Sequence, residues 1–133
     1  MTIEYEWRGE FANDEFHVLH AEAFQTRIFD DDWVTLTAEH SLGWVTAKAD
    51  GKLVGFVNVI WDGLVHAWIQ DVMVAGSHRG EGIATKLVAI CRDHAADAGC
   101  EWLHVDFEDE LKPFYFDACG FTPTNAGLIA LQG

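Results

Sequence analysis

The sequence predicts an α/β (α+β) domain in which a mixed sheet is flanked by helices. Hydrophobic patterns along the chain give the order strand, helix, helix, three strands, helix, strand, helix and strand. The chain has 133 residues, of which 50% are hydrophobic, so it can bury about two thirds of its unfolded surface. No repeat, proline-rich linker or low-complexity stretch divides it. We therefore expect a single domain over residues 1–133.

The N-terminal third predicts one strand and two helices. Residues 3–8 have strand character. An apolar stripe at helical spacing follows and predicts an amphipathic helix, for which Asn13 is a fitting N-cap. The stripe consists of Phe16, Leu19, His20, Ala23 and Phe24. Acidic residues 30–32 then precede a second helix through Trp33 and Leu36, at the end where the helix dipole favours negative charge.

The middle of the chain predicts a hairpin and a third strand. Residues 44–61 contain two β-rich runs separated by Asp50-Gly51. This dipeptide supplies the positive φ angles of a tight hairpin turn. The third run, residues 66–74, has the character of another strand.

A long helix, a strand, a short helix and a final strand complete the predicted order. The long helix buries one face and ends near Gly99, which fits a C-cap. Residues 102–107 read as a strand and residues 111–118 as a short helix, where Pro113 is acceptable only in the first turn. The last strand is expected at about residues 127–131.

The chain is strongly acidic, with 22 acidic and 8 basic residues and a formal charge of −14. Such a field repels nucleic acid and anionic membranes and favours a cationic substrate, although solubility or adaptation to salt explains the acidity equally well. No apolar run reaches the roughly 18 residues of a membrane helix. The N-terminus has neither a basic start nor an apolar signal stretch. We therefore expect a soluble, cytoplasmic protein that binds neither nucleic acid nor membrane.

Three cysteines, Cys91, Cys100 and Cys119, are odd in number and have no C-x-x-C spacing or matching histidine pair. This pattern argues against a disulfide framework and against a structural zinc site. We interpret all three as buried thiols and expect no metal.

A glycine-rich loop, Arg79-Gly80-Glu81-Gly82-Ile83-Ala84, lies between the third strand and the long helix. Its glycines permit left-handed backbone angles, and the helix start offers free amides, so together they can bind an anion. The segment does not match a P-loop, because Ile83 stands where the P-loop lysine would follow Gly82. A dinucleotide fingerprint begins with Gly80 and Gly82, but Thr85 occupies its third small position and a hairpin precedes it. An ordinary glycine-rich connection is the remaining alternative.

The loop and its surroundings resemble the GCN5-related N-acetyltransferases (GNAT). The family's signature, Q/R-x-x-G-x-G/A, is matched by Arg79, Gly82 and Ala84. The run Leu-Lys-Pro-Phe-Tyr at 111–115, followed by Gly-Phe at 120–121, is similar to the family's L-x-P-F-Y and G-F segment. The resemblance extends over about residues 44–121, whereas residues 1–40 match only in layout.

This resemblance implies a mainly antiparallel sheet that splays between the strands at 66–74 and 102–107, with acetyl-CoA in the splay. The backbone of Val72, Met73 and Val74 would pair with the pantetheine arm as an added strand does. An amide at Met73 or Val74 would hold the oxyanion. The cofactor pyrophosphate would be held by the amides of Gly80, Gly82, Ile83, Ala84 and Thr85, to which Arg79 adds a forked cation suited to phosphate.

The proton donor for the departing thiolate is predicted to be Tyr115. The family commonly uses the tyrosine of Tyr-x-x-x-Gly-Phe, but here four residues separate Tyr115 from Gly120 and Phe116 holds the usual spacing. Adjacent side chains on a helix point about 100° apart, so only one can face the thiol unless the helix has a bulge or a shifted start. The Leu-Lys-Pro-Phe-Tyr match favours Tyr115.

The proton acceptor is less clearly marked. Asp71, Asp106, Glu108 and His66 lie on or near the two strands that flank the cofactor in this family. Asp71 alternates with Met73, so the two should share a face, and we select Asp71. The acidic run at 106–110 could hold a cationic amine or be solvated. Trp44, Trp61 and Trp68 could line an acceptor pocket, although we favour a core role.

These features imply an acetyl-CoA-dependent N-acetyltransferase that acylates a primary amine of a small molecule or peptide by direct attack. An acyl-CoA-binding sensor or scaffold without catalysis is the alternative that the irregular tyrosine spacing favours. A nicotinamide-binding oxidoreductase is a second rival. The family often dimerises, and the sequence decides neither the acceptor nor a homodimer.

Overall fold

The computed structural model describes residues 2–27 and 30–132 and arranges them around a five-stranded sheet. The strands are β1 (Ile3–Trp7), β2 (Ser41–Ala49), β3 (Lys52–Trp61), β4 (His66–Val74) and β5 (Trp102–Val105). The α-helices are α1 (Asn13–Phe24), α2 (Trp33–His40) and α3 (Ile83–Asp97). Short 3₁₀ turns occupy Gly76–His78 and Asp109–Leu111, and a π-helical turn occupies Pro113–Ala118.

The sheet is mixed and mainly antiparallel, as predicted. Its strands lie in the order of the chain, each of β1 to β4 is antiparallel to its neighbour, and β5 is parallel to β4. Parallel strands need a crossover connection, and α3 provides it. Asp50 and Gly51 have φ angles of 50° and 79°, which confirms the tight turn between β2 and β3.

Helices cover both faces of the sheet. On one face, Phe16 and Leu19 of α1 pack with Trp44, Phe56 and Met73 of the strands. On the other face, α3 covers a second core, formed in part by Val45, Val57, Val59, Ile69, Ile83, Leu87 and Cys91. The prediction that Trp44 is a core residue is confirmed. Among the helices of the described ranges, none combines the length and the apolar character that a bilayer crossing requires.

The helix ends follow the predicted signals except at α1. Gly99 has a φ of 94°, and the Cys100 amide donates to the Ala95 carbonyl at 3.0 Å, as in a glycine-terminated helix. The prediction that Asn13 caps α1 is wrong, because α1 already begins at Asn13. Asn13 Oδ1 instead accepts a hydrogen bond from the Val34 amide at 3.0 Å. Asn13 therefore accepts a hydrogen bond from a free amide at the start of the neighbouring helix α2.

The strand predicted at 127–131 is wrong. Residues 122–132 contain neither helix nor strand and are exposed; Leu128 and Ile129 are 86% exposed and Leu131 is 92% exposed. A strand requires a partner for its backbone groups, and within the described ranges no strand lies against this segment. Its apolar character alone could not supply one.

The three cysteines are free thiols in three different surroundings. Cys91 is buried, as predicted, whereas Cys100 and Cys119 are half-buried. The prediction of three buried thiols therefore holds only for Cys91. The other two follow the end of α3 and the end of the π-helical turn, where the chain leaves the core.

Candidate active site

The loop between β4 and α3 exposes backbone amides at a helix start. Gly80 and Gly82 both have a φ of 80°, and a Cβ built at either position meets nothing within 4 Å. The left-handed backbone, and not crowding, therefore explains the glycines. Gly82 is the N-cap of α3 and offers no side chain to its first amides. These amides have no partner inside the helix, so they can bind an anion.

The charges around this loop are arranged to suit an anion. Arg79 and Lys86 are exposed beside the start of α3. Glu81, the acidic residue of the loop, lies near β1, where burial and then the charge of Glu81 raise the pKa of Tyr5. In a chain with a formal charge of −14, two cations beside free amides make this surface locally suitable for phosphate.

The sheet opens between β4 and β5 directly beside this loop. Their parallel pairing stops at Ile69 and Val105. β4 continues to Val74, so among the described residues no strand pairs with the β5 side of residues 70–74. Val72, Met73 and Val74 lie on this segment, while the Met73 side chain is 1% exposed in the core. The backbone edge of β4 is thus available to a ligand.

A β-bulge at Asp71 and Val72 lies at the apex of this opening. Asn58 pairs with Gln70 and Phe56 pairs with Met73, so one residue of β3 faces two of β4. Asp71 has a φ of 58°, which is uncommon for a residue with a side chain. Backbone strain of this kind concentrates at functional sites. Of the carboxylates considered from the sequence as the proton acceptor, Asp71 is therefore supported by its backbone geometry.

The Asp71 carboxyl is half-buried, and α1 contributes a histidine to its surroundings. Burial raises the pKa of Asp71, and the nearby charge of His20 lowers it. A raised pKa makes a carboxylate a better proton acceptor near neutral pH. The sheet face that carries Asp71 is the one packed against α1.

His20 is a candidate functional residue that the sequence reasoning missed. Its ring contacts Phe16, Phe24 and Trp33 at centroid distances of 5.8, 4.8 and 6.1 Å. It belongs to the apolar stripe of α1, so its spacing predicted only core packing. The two histidines at 17 and 20, three residues and about one helical turn apart, were the signal available.

A cleft between α1 and α2 opens at this position. It has a volume of about 200 Å³ and is lined by His17, His20, Asp31 and Trp33. His17 Nε2 lies 2.7 Å from the Asp31 carbonyl oxygen, so Nε2 carries the hydrogen and donates. The cleft therefore combines imidazoles, an acid and an aromatic ring.

Tyr115 is the inward-facing aromatic of the π-helical turn. The Cys119 amide donates to the Phe114 carbonyl at 2.9 Å, a five-residue spacing that accommodates one residue more than an α-helical turn. This turn absorbs the extra residue between Tyr115 and Gly120. Tyr115 is 6% exposed and stacks on Phe107 at 4.7 Å, and Phe116 is half-buried. Burial, with a smaller contribution from Cys119, raises the pKa of Tyr115 to about 12.

The comparison with protein families matches residues 5–121 to the acetyltransferase (GNAT) family. The chain belongs to this family. No curated protein sequence matches the chain. Among solved structures, the GNAT fold is similar to an acetyltransferase of Trypanosoma brucei, with 17% identity, a TM-score of 0.83 and coverage of 97% of this chain and 99% of the other.

Two further similar structures have more specific names. A glucosamine-6-phosphate N-acetyltransferase of Arabidopsis thaliana has 19% identity, a TM-score of 0.79 and coverage of 98% of both chains. An aminoglycoside N-acetyltransferase in complex with CoA has 19% identity, a TM-score of 0.77 and coverage of 98% of this chain and 95% of the other. At these identities, the similarity establishes the GNAT fold.

The residues present fit the acetyl-CoA that GNAT enzymes use. The loop offers free amides and two cations for phosphate, and a Cβ-free surface at Gly80 and Gly82 lets a ligand approach. The open edge at residues 70–74 is the final part of β4, the strand that leads into this loop. A linear molecule with a phosphate at one end matches this arrangement.

The remaining sequence candidates of the GNAT site lie along the paired part of β4 and β5 or just beyond the end of β5. His66 Nδ1 is 2.9 Å from His104 Nε2, at the paired start of β4. Asp106 and Glu108 are exposed beyond the end of β5. Trp68 stacks on His104 at 4.9 Å. Trp61 packs against the α3 core, as favoured from the sequence.

Proposed function

We propose that residues 1–133 act as one N-acetyltransferase domain, which transfers an acetyl group from acetyl-CoA to a primary amine of a small molecule or peptide. The observation that carries this proposal is the adjacency of an anion-binding loop and an open strand edge. Gly80 and Gly82 give the loop its left-handed backbone, and residues 70–74 form the edge. Phosphate binding alone would fit many ligands, but the edge adds a place for an extended amide-containing arm.

The binding roles follow from this adjacency. The amides of Gly80, Gly82, Ile83, Ala84 and Thr85 bind pyrophosphate, and Arg79 neutralises part of its charge. The backbone of Val72, Met73 and Val74 pairs with the pantetheine arm. When bound, acetyl-CoA supplies an activated acetyl thioester at the apex beside Asp71.

The chain's own side chains manage the protons. Asp71 accepts a proton from the incoming ammonium, because its burial favours the protonated carboxyl. The Tyr115 hydroxyl donates toward the sulfur of the leaving group. With its pKa raised to about 12, Tyr115 holds its proton throughout the neutral range and is available as a donor. The amide of Met73 or Val74 stabilises negative charge on the acyl oxygen.

The acceptor we propose is cationic. Asp31 lines the cleft beside α1, Trp33 offers an aromatic face to an ammonium group there, and the whole chain is acidic. Two structural neighbours are named for glucosamine-6-phosphate and aminoglycosides, so amino sugars belong beside polyamines and lysine peptides in a test. The three free thiols agree with a cytoplasmic location.

The feature that favoured a non-catalytic sensor has a structural account. The irregular spacing between Tyr115 and Gly120 is absorbed by the π-helical turn, and Tyr115 stays against Phe107. The spacing therefore no longer favours the sensor over the enzyme.

A thiol-release assay tests the proposal. Purified protein is incubated with acetyl-CoA and spermidine, glucosamine, glucosamine-6-phosphate or a lysine peptide, and we expect CoA release with at least one of them. Thermal unfolding is measured in parallel, and acetyl-CoA but not NAD should raise the midpoint. A shift with acetyl-CoA and no thiol release with any amine would support the sensor. A shift with NAD alone would support the oxidoreductase.

A further inference from the structure

A second cavity lies away from the opening between β4 and β5, on the sheet face that α1 and α2 cover. It has a volume of about 560 Å³, within the range of roughly 300–1,000 Å³ that small-molecule sites occupy. Its walls come from the β1–α1 connection, α1, α2 and β2, and include Arg8, Phe11, Glu15, Val34, Trp44 and Lys48. Of the described residues that line it, none has a proposed role in acetyl transfer.

This cavity and the glycine-rich loop lie at opposite ends of α1. Ala12, immediately before the helix, lines the cavity. Glu22, near the other end of the helix, accepts a hydrogen bond from the Gly76 amide at 2.7 Å, on the connection that leads into the loop. From residue 12 to residue 22 a helix rises about 15 Å. The cavity is therefore separate from the proposed acetyl-CoA site.

The β1–α1 connection is fixed against β2 at this cavity. The Arg8 amide donates to the Trp44 carbonyl at 2.6 Å, and Trp44 Nε1 donates to the Gly9 carbonyl at 2.8 Å. Gly9 packs closely on Thr46, because a Cβ at Gly9 would lie 2.1 Å from Thr46 Oγ1. Arg8 has a φ of 57°, in the left-handed region that residues with a side chain rarely adopt. The wall thus contains the kind of backbone strain that concentrates at functional sites.

Two cations and two carboxylates surround the cavity. They are Arg8, Lys48, Glu10 and Glu15. In the part of the chain that the structure describes, none of the four forms an ion pair. Arg8 Nη1 donates to the Leu42 carbonyl at 2.9 Å, which leaves further N–H groups of the guanidinium for a ligand. The Glu15 oxygens accept only long hydrogen bonds, of 3.4 Å, from the amides of Ala12 and Leu53. Charges of both signs are therefore available to a ligand.

Most of the remaining lining is apolar and aromatic. Trp44 is 8% exposed and meets Phe11 edge-on, with ring centroids 6.2 Å apart. The Arg8 guanidinium lies over the Trp44 ring, 4.8 Å from its centroid. Val34 and Ala38 of α2 also line the cavity. A matching ligand carries one positive and one negative charge on an apolar body.

We propose that this cavity binds a free α-amino acid with a large apolar side chain. Arg8 and Lys48 bind its carboxylate, and Glu10 and Glu15 bind its ammonium group, since hydrogen bonds between ionised partners are the strong ones. The side chain of the amino acid packs against Trp44 and the apolar wall. Binding breaks no covalent bond and does not depend on acetyl transfer.

The first test measures binding of L-phenylalanine by calorimetry, together with three analogues that each lack one feature. N-acetyl-L-phenylalanine has no ammonium group, L-phenylalaninamide has no carboxylate, and glycine has no apolar body. We expect a Kd of about 1 mM or lower for phenylalanine and at least about tenfold weaker binding of each analogue, because charged side chains or the apolar wall lose their partner. Absence of phenylalanine binding, or equal binding of any analogue, would overturn the proposal.

The second test locates the bound amino acid. Lys48→Gln and Glu10→Gln should each weaken phenylalanine binding at least about tenfold. Lys52→Gln is the matched control, because Lys52 is an exposed lysine at the start of β3 that does not line the cavity. Phenylalanine should also shift the Trp44 indole N–H signal in ¹H–¹⁵N spectra, whereas the signal of Trp61, which packs against the α3 core, should stay in place.

The outcomes of the second test are decisive for the position of the site. Unchanged affinity in both charge variants, or an unshifted Trp44 signal when phenylalanine is bound, would place the ligand elsewhere and overturn the proposal. None of these measurements requires turnover. Their failure would therefore leave the acetyltransferase proposal intact, and failure of the thiol-release assay would leave this one intact.

Discussion

At the scale of single residues, Asp71 combines a left-handed backbone, partial burial and a charge. Each of these features is unfavourable on its own, and together they lie at the apex of the opening in the sheet. Strain held by the surrounding structure is common where a protein positions a reactive group. We therefore expect Asp71 to destabilise the folded state, and this destabilisation can be measured.

We predict that Asp71→Asn stabilises the fold at neutral pH while lowering activity. The folded-state pKa of Asp71 is raised, so its stabilising effect is present below the unfolded pKa of about 3.9 and is lost as pH rises through the folded pKa. Asparagine removes the buried charge and tolerates a positive φ. Thermal unfolding should show a higher midpoint than wild type at pH 7 and no such gain at pH 3. A lower midpoint at pH 7 would contradict this.

The substitution Tyr115→Phe tests whether the Tyr115 hydroxyl is the proton donor. Removing the hydroxyl should lower kcat at least about tenfold while the packing against Phe107 is kept. The matched variant Tyr115→Phe with Phe116→Tyr returns a hydroxyl one position along the turn. We expect no recovery from it, because Phe116 meets Phe107 from a different direction, with ring planes at 76° instead of 26°. Recovery would assign the role to position 116.

At the scale of elements, the start of α3 and the end of β4 act together. Neither a glycine-rich turn nor an unpaired strand edge identifies a ligand alone. Their order along the chain joins them, since β4 leads through Gly76–His78 into the loop and then into α3. The anion site and the open edge therefore belong to one continuous segment.

Gly82→Ala should weaken acetyl-CoA binding as well as the fold. An L-residue in the left-handed region costs roughly 1–2 kcal/mol, and relaxation of the loop would turn its amides away. Gly51→Ala is a matched control, because Gly51 has a φ of 79° against 80° for Gly82 and equally open surroundings. Both variants should unfold at lower temperature. Calorimetry should find weaker acetyl-CoA binding only for Gly82→Ala, and equal binding in both would count against the loop.

The elements that the sequence predicts well are those with local signals. The Asp50-Gly51 turn, the apolar stripe of α1 and the glycine after α3 all act within a few residues. The capping role of Asn13 was misassigned because its partner, Val34, is distant in sequence. His20 was missed for the same reason, since Asp71 becomes its neighbour only when α1 packs on the sheet.

The C-terminal segment and the tyrosine turn show two further limits of the sequence. The apolar residues at 127–131 predicted a strand, but pairing depends on a neighbouring edge and not on local sequence. The spacing between Tyr115 and Gly120 left two aromatics open; in the structure a π-helical turn takes up the extra residue, and Tyr115 packs on Phe107. Such turns are rare, so a local rule favours an α-helix instead.

At the scale of the whole molecule, the formal charge of −14 acts on both proposed substrates in opposite directions. It attracts a polycation and repels the phosphates of acetyl-CoA, apart from the local field of Arg79 and Lys86. We therefore predict that added salt raises the KM for spermidine and speeds association of acetyl-CoA, because screening weakens both effects. Steady-state kinetics and stopped-flow binding between low and physiological salt would measure the two trends. A KM for spermidine that does not rise with salt, or an association rate of acetyl-CoA that falls with salt, would contradict this account.

The three thiols have a practical consequence for following the reaction. Burial raises the pKa of Cys91 to about 12, and burial also raises the pKa of Cys100 and Cys119. Only a thiolate reacts readily with a disulfide reagent. A chromogenic thiol reagent added at neutral pH should therefore report the CoA that is set free against a low and slowly rising protein background. The folded enzyme can be assayed continuously without replacing its own cysteines.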